Sequence, residues 1–234
     1  MRKSTTHWTF IAALSLAATS PALSSAQTVD VDQMSFFVTS ESKGDGGNLG
    51  GLKGADAHCN ALASAAGSDK NWAAYLSTSM VVDRSNGRPF KITNGVNARD
   101  RIGSGPWYNA MGMMIAKDID ALHSADGNFI SIETALNEKG GKINGRGTPP
   151  NQHDILTGSE SMGFFSTAGG DTTCSNWTSN SAEGSAIVGH HDRMGGNTAR
   201  NMVSWNSSHG TFGCGEQHLP RSGGAGLFYC FATE

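Results

Sequence analysis

The chain lacks an apolar run long enough to cross a bilayer. A spanning helix needs roughly 20 apolar residues, and Phe10-Ile11-Ala12-Ala13-Leu14-Ser15-Leu16-Ala17-Ala18 is about half that. Charge is scarce as well: 16% of residues are charged, and 20 acids outnumber 17 bases. That balance leaves no electrostatic footprint for nucleic acid, whose binding leans on a basic face, and argues against a polyanion as the main ligand. Enzyme signatures are missing. There is no Gly-x-Ser-x-Gly elbow, no His-Glu-x-x-His pair and no Walker loop. Gly44-Asp45-Gly46 followed by Gly50 misses the dinucleotide fingerprint. Only four cysteines occur, Cys59, Cys174, Cys214 and Cys230, none with the close C-x-x-C spacing of a redox centre or zinc knuckle. No internal repeat and no linker divides the chain.

What is present begins with the three parts of a secretory signal. Arg2 and Lys3 supply the positive start, the short apolar run follows, and Ser24-Ser25-Ala26 places small residues at a cleavage site. Residues 1–26 therefore read as a signal peptide, with mature protein from Gln27. Cleavage removes two bases and no acid, turning the formal charge from −3 to −5. With no cysteine after the cleavage region to carry a lipid, the expectation is an exported protein, periplasmic or secreted and soluble. Residues 27–35 read as a short tail and 36–234 as one domain, long enough to bury a core. Four cysteines in an exported chain are most simply two disulfides, and three connectivities are open. The 31 glycines predict a loop-rich fold with many tight turns.

Local patterns predict few regular elements. Phe36-Phe37-Val38-Thr39 reads as a first strand, ended by the turn-rich Ser40–Gly51. A helix is predicted near Gly54 to Ala66, where Ala55, Cys59, Leu62, Ala63 and Ala66 recur at three- and four-residue steps before Gly67. Trp72, Ala74 and Leu76 alternate as in a half-buried strand. Further strands are expected at Met113–Ala116, Ile155–Thr157, Asn176–Thr178, Ala186–Val188 and Leu227–Phe231, with a helical turn at Ile132–Leu136. Arg99–Asn109 and the Gly- and Pro-rich Asn144–Asn151 read as loops. Short strands, one main helix and long ordered loops make an α+β fold.

Several of these segments resemble a known family. Gly51-Leu52-Lys53-Gly54-Ala55-Asp56-Ala57-His58-Cys59, followed by Trp72-Ala73-Ala74-Tyr75-Leu76-Ser77, is similar to the opening of the endostatin domain of collagens. Asn97-Ala98-Arg99-Asp100 with Trp107, Leu156-Thr157-Gly158-Ser159, Cys174-Ser175-Asn176-Trp177 and the terminal Leu227–Phe231 follow in the order of that domain's landmarks. Closer still, the chain resembles the bacterial endostatin-like domain found in leptospiral surface adhesins and in proteobacterial proteins called lectins. The resemblance spans Phe36 to Phe231. It implies a C-type-lectin-like fold with short antiparallel strands and two nested disulfides, Cys59–Cys230 outside and Cys174–Cys214 inside.

Three groups of residues carry candidate chemistry. Calcium-dependent C-type lectins use a Glu-Pro-Asn or Gln-Pro-Asp tripeptide and a Trp-Asn-Asp, an oxygen set suited to a hard cation. Here Trp205-Asn206-Ser207 lacks the final carboxylate and Pro149-Pro150-Asn151 lacks the acid. Asp118, Asp120 and Asp126-Gly127-Asn128 are a second calcium candidate, with solvated turn acids as the plainer reading. His190-His191-Asp192-Arg193 is the richest run. It reads as a transition-metal or acid/base site with His153, Asp154 and His209, or as a hydrogen-bonded cluster that orders long loops. On a strand His190 and Asp192 would share a face and His191 would point away, so His153, Asp154, His190 and Asp192 are the expected metal ligands. Trp107-Tyr108 and Trp205, with Asn206, His209, His190, Asp192 and Arg193, are the candidate sugar-binding surface, aromatic faces beside polar side chains. The plainer reading puts the tryptophans in the core. No catalytic residue and no confident cofactor emerge. The leading expectation is a non-enzymatic binding module that meets a glycan or an extracellular or envelope protein through loops between Asn97 and His209. The alternatives are a metal-assisted hydrolase and a purely structural envelope protein.

Overall fold

The last strand organises the protein. The computed structural model describes residues 1–3 and 28–234, and the signal-peptide reading falls largely on residues 4–27, outside the described residues. Among the described residues there are ten strands, most of them short: β1 (Phe36–Val38), β2 (Trp72–Ala74), β3 (Val81–Asp83), β4 (Lys91–Thr93), β5 (Trp107–Tyr108), β6 (Met114–Ala116), β7 (Asp154–Leu156), β8 (Ile187–His190), β9 (His209–Gly210) and β10 (Gly224–Ala232). The main sheet runs β1-β10-β7-β8-β9, with β2 also on β10. The C-terminal half of β10 pairs antiparallel with β1 and β2, and its N-terminal half pairs parallel with β7. A strand covered on both faces needs no alternation, and Leu227–Ala232 is buried at every position. β3–β4 and β5–β6 form two separate hairpins.

Helix α1 (Gly51–Ala65) buries the stripe Ala55, Cys59, Leu62 and Ala63. It packs them against Phe37, Trp72, Leu76, Phe228 and Cys230 on one face of the sheet. The opposite face carries Phe36, Tyr75, Trp107, Trp205, Tyr229 and Phe231. The helix starts earlier than its apolar periodicity indicates. At Gly54 an added Cβ would meet the Leu49 carbonyl oxygen at 2.0 Å, so only glycine lets the preceding loop fold over the first turn. A second short helix, α2 (Ile119–His123), is capped by Asp118, whose Oδ1 accepts from the Ala121 amide at 2.7 Å. The fold is α+β, and both disulfides form: Cys59–Cys230 joins α1 to β10, and Cys174–Cys214 closes a loop inside it.

Two local expectations are corrected. Asn176–Thr178 is not a strand. Cys174, Ser175, Asn176 and Trp177 have φ of 47°, 54°, 56° and 66°, a single left-handed turn. L-residues pay about 1–2 kcal/mol each for that conformation. It is held by the Cys174–Cys214 bridge, by the Trp177 indole donating to Ser77 O at 2.7 Å, and by Asn176 Oδ1 accepting from Ser79 N at 2.7 Å. Ile132–Leu136 forms the expected helical turn, with Ala135 N donating to Ser131 O at 2.9 Å, and ends where Leu136 bridges to Lys142. Residues 28–35 are no free tail: Met34 is fully buried and Asp30 N donates to Ala110 O.

Candidate functional site

Pairing of three short strands assembles the densest polar cluster. In the β7–β8 register Asp154 stands opposite His190, and in β8–β9 His209 stands opposite Val188, two residues from His190 and so on its face. His153 immediately precedes β7. Asp154 Oδ1 lies 3.1 Å from His153 Nε2, 3.2 Å from His190 Nε2 and 3.6 Å from His209 Nε2. His190 Nε2 and His209 Nε2 are 3.0 Å apart. The His153 and His190 rings stack with centroids 4.3 Å apart. Both Asp154 oxygens are buried without a hydrogen-bond partner. Among the described residues His153, Asp154 and His190 are the group whose donor atoms lie close enough to hold a metal ion. Gly223, at φ +117°, makes room for them, because an added Cβ would sit 2.8 Å from His153 Nε2.

Asp192 is placed differently from the expected ligand set. β8 ends at His190 and the chain turns through Arg193 at φ +57°. Asp192 therefore lies behind His153, its Oδ1 3.4 Å from His153 Nδ1. It also accepts from the backbone amides of Arg146 at 2.6 Å and Met194 at 3.0 Å. Burial works to raise its pKa, but the His153 contact and these amides hold the carboxyl well below the usual range. Burial works to lower the His190 pKa, but the Asp154 carboxylate and the Met202 carbonyl leave it raised. His191 is buried, points away from Asp154 toward Asn144 O at 3.4 Å, and is pushed down by burial to about 4. Arg193 is structural: its guanidinium donates to Ile130 O, Val203 O and Asn128, tying three loops. Of the second calcium candidate, Asp118 caps α2 and Asp120 pairs with Arg99 at 3.2 Å.

A cleft of about 580 Å³ is lined in part by the loop 191–208 that links His190 to His209. Trp205 and Asn206 form its floor, and Glu160, Ser161, Arg193 and Arg200 are among its walls. Trp205 is only 3% exposed and packs on Tyr75 and Tyr229. Asn206 is also buried. Its amide donates to the Tyr75 hydroxyl at 2.9 Å and to Ser161 O at 3.1 Å, and its Oδ1 accepts from Ser204 Oγ. Both polar side-chain atoms of Asn206 are thus engaged by protein groups. The Tyr75 hydroxyl lies 2.7 Å from His123 Nε2, whose Nδ1 donates to Ile119 O, and burial pushes His123 down to about 4. Trp107 is a core residue, edge-on to Phe231, and neither it nor the half-buried Tyr108 lines the cleft. His209, expected beside His153 and Asp154, does not line the cleft and joins the polar cluster. Its place there follows from the β8–β9 pairing. The exposed Arg200 and Glu160 were not legible in the sequence as cleft residues. No protein-family model and no curated protein sequence matches the chain.

Proposed function

We propose that the protein is an exported, non-enzymatic binding module of C-type-lectin-like architecture that recognises a short glycan in the cleft above Trp205. The cleft is the observation that carries this reading. Its volume falls within the roughly 300–1,000 Å³ usual for small-ligand sites. Guanidinium, carboxylate and hydroxyl groups of Arg200, Glu160 and Ser207 surround an aromatic floor. The floor is rigid, because Trp205 and Asn206 are packed and hydrogen-bonded inward, so contact with ligand falls to the exposed walls. The signal-like N-terminus and the two disulfides support export to an oxidising compartment.

The test is a glycan array probed with the mature protein and with Arg200→Ala. Discrete hits weakened at least tenfold by Arg200→Ala are expected. A silent array with an envelope or matrix protein captured at the same cleft would move the ligand to protein, and silence in both would sink the reading. The convergence of His153, Asp154 and His190 favours one second reading, a metal-assisted hydrolase. Hydrolysis abolished by chelation and restored by metal would support it.

A further inference from the structure

We propose that His153, Asp154, His190 and His209 form a closed, four-ligand site for a divalent transition metal of the zinc class. Hydrogen bonds at the three Nδ1 atoms fix where the imidazole protons sit. His190 Nδ1 lies 2.7 Å from Met202 O, and His209 Nδ1 lies 3.1 Å from Gly210 O. Carbonyl oxygens only accept, so both Nδ1 atoms carry hydrogen. His153 Nδ1 faces the Asp192 carboxylate at 3.4 Å, with the same consequence. Each ring, when neutral, then presents a bare Nε2 lone pair, and the three Nε2 atoms lie 3.1, 3.2 and 3.6 Å from the one Asp154 oxygen. His190 Nε2 and His209 Nε2, 3.0 Å apart, set lone pair against lone pair. A neutral pair repels there, and a cation between them removes the conflict.

Asp154 makes the same point independently. Its carboxylate is fully buried: Oδ2 has no partner, and only the three imidazole Nε2 atoms approach Oδ1, an arrangement that costs several kcal/mol unless a charge compensates it. The geometry matches a particular ion class. Nitrogen and oxygen ligands about 2.0–2.1 Å from zinc lie about 3.3 Å from one another in a tetrahedron. Of the six separations in such a set, the three from Asp154 Oδ1 and the one between His190 and His209 run from 3.0 to 3.6 Å. The donor atoms of His153, Asp154 and His190 lie within 4.8 Å of one another throughout, and His209 joins them from the sheet edge. Three imidazoles and one carboxylate suit zinc-like ions and not calcium or magnesium, which take oxygen. Each histidine also donates its other nitrogen to a carboxylate or carbonyl, the outer support that metal-bound histidines have. A divalent ion would leave Asp154 and Asp192 jointly neutralised.

Four protein ligands fill the tetrahedron, which is the pattern of a structural and not a catalytic site. The ion would join the two ends of the loop 191–208, which leaves the sheet at His190 and returns at His209. That loop supplies much of the cleft wall, but the metal site stands whether or not the cleft binds glycan.

The full exported protein, untagged and purified without chelator, is expected to carry one equivalent of zinc by elemental analysis. After chelation and dialysis, one equivalent of Co²⁺ should give the intense visible bands of a four-coordinate ion. His209→Ala, at the partly exposed sheet edge, should lower affinity at least tenfold while the chain stays folded by circular dichroism. Asp192→Asn should weaken binding roughly tenfold through His153. Protein without metal that also fails to bind Co²⁺ would overturn the site and leave a proton shared among the histidines. Unchanged binding in both His209→Ala and His153→Ala would place any metal elsewhere. A pale six-coordinate spectrum would refute the closed geometry.

Discussion

The two bridges should contribute unequally, and the larger loop should matter more. Cys59–Cys230 spans 171 residues and Cys174–Cys214 spans 40. On a chain-entropy argument these closures remove about 5 and about 4 kcal/mol from the unfolded ensemble. All four sulfurs lie in fully buried residues, so replacing either pair by alanine opens comparable cavities. The difference of about 1 kcal/mol then reports loop length. The paired variants Cys59→Ala/Cys230→Ala and Cys174→Ala/Cys214→Ala are to be compared by urea unfolding. With a slope of about 2 kcal/mol per molar, the midpoint of the outer-bridge variant should lie about 0.5 M below that of the inner-bridge variant. Proteolysis adds a second readout. Loss of the outer bridge frees α1 from β10 and should open the whole sheet, whereas loss of the inner one should first expose residues 174–186. A larger loss from the inner pair, or losses under about 1 kcal/mol from both, would refute the loop-entropy reasoning.

Acid should destabilise the protein. His123 and His191 have folded pKa values of about 4 against 6.5 unfolded, so their contribution is complete above pH 6.5 and is lost as pH falls through 4. Each can remove roughly 3 kcal/mol, and urea midpoints that stay level from pH 7 to 4.5 would contradict this. Asp56 accepts two bonds from Arg101, at 2.8 and 2.7 Å, and one from the Ala74 amide at 2.9 Å. Asp56→Ala strands a guanidinium only 11% exposed; it should cost about 2–3 kcal/mol, below the value for a fully buried pair because Asp56 is one-third exposed, and a midpoint matching wild type would argue against the pair. Ser175→Gly should raise the melting temperature slightly. It relieves about 1 kcal/mol of left-handed strain at an exposed residue, against about half that in unfolded-chain entropy. A lower melting temperature would show that the turn carries no strain.

Much of the frame is local and therefore legible in the amino-acid order. The stripe Ala55, Cys59, Leu62 and Ala63 sets the buried face of α1 because helical spacing is a property of four consecutive turns. The apolar run Leu227–Phe231 reads as a strand by residue type, and its burial at every position explains the lack of alternation. Four spaced cysteines meant two bridges, although spacing alone did not say which, and the nested pairing needed the sheet to bring α1 against β10. Conformations imposed from outside were illegible: the Cys174–Trp177 segment, aromatic and polar as a strand would be, is wound left-handed by a disulfide and by Ser77 and Ser79, a hundred residues away. The metal cluster divides the same way. His153, Asp154 and His190 could be singled out by residue type, since imidazole beside carboxylate is a metal-ligating chemistry wherever it lies. That Asp192 stands behind His153 while His209 completes the set depends on where β8 ends and how β9 pairs with it. Residue type determined which groups were available, and strand register, which is non-local, decided which of them face one another.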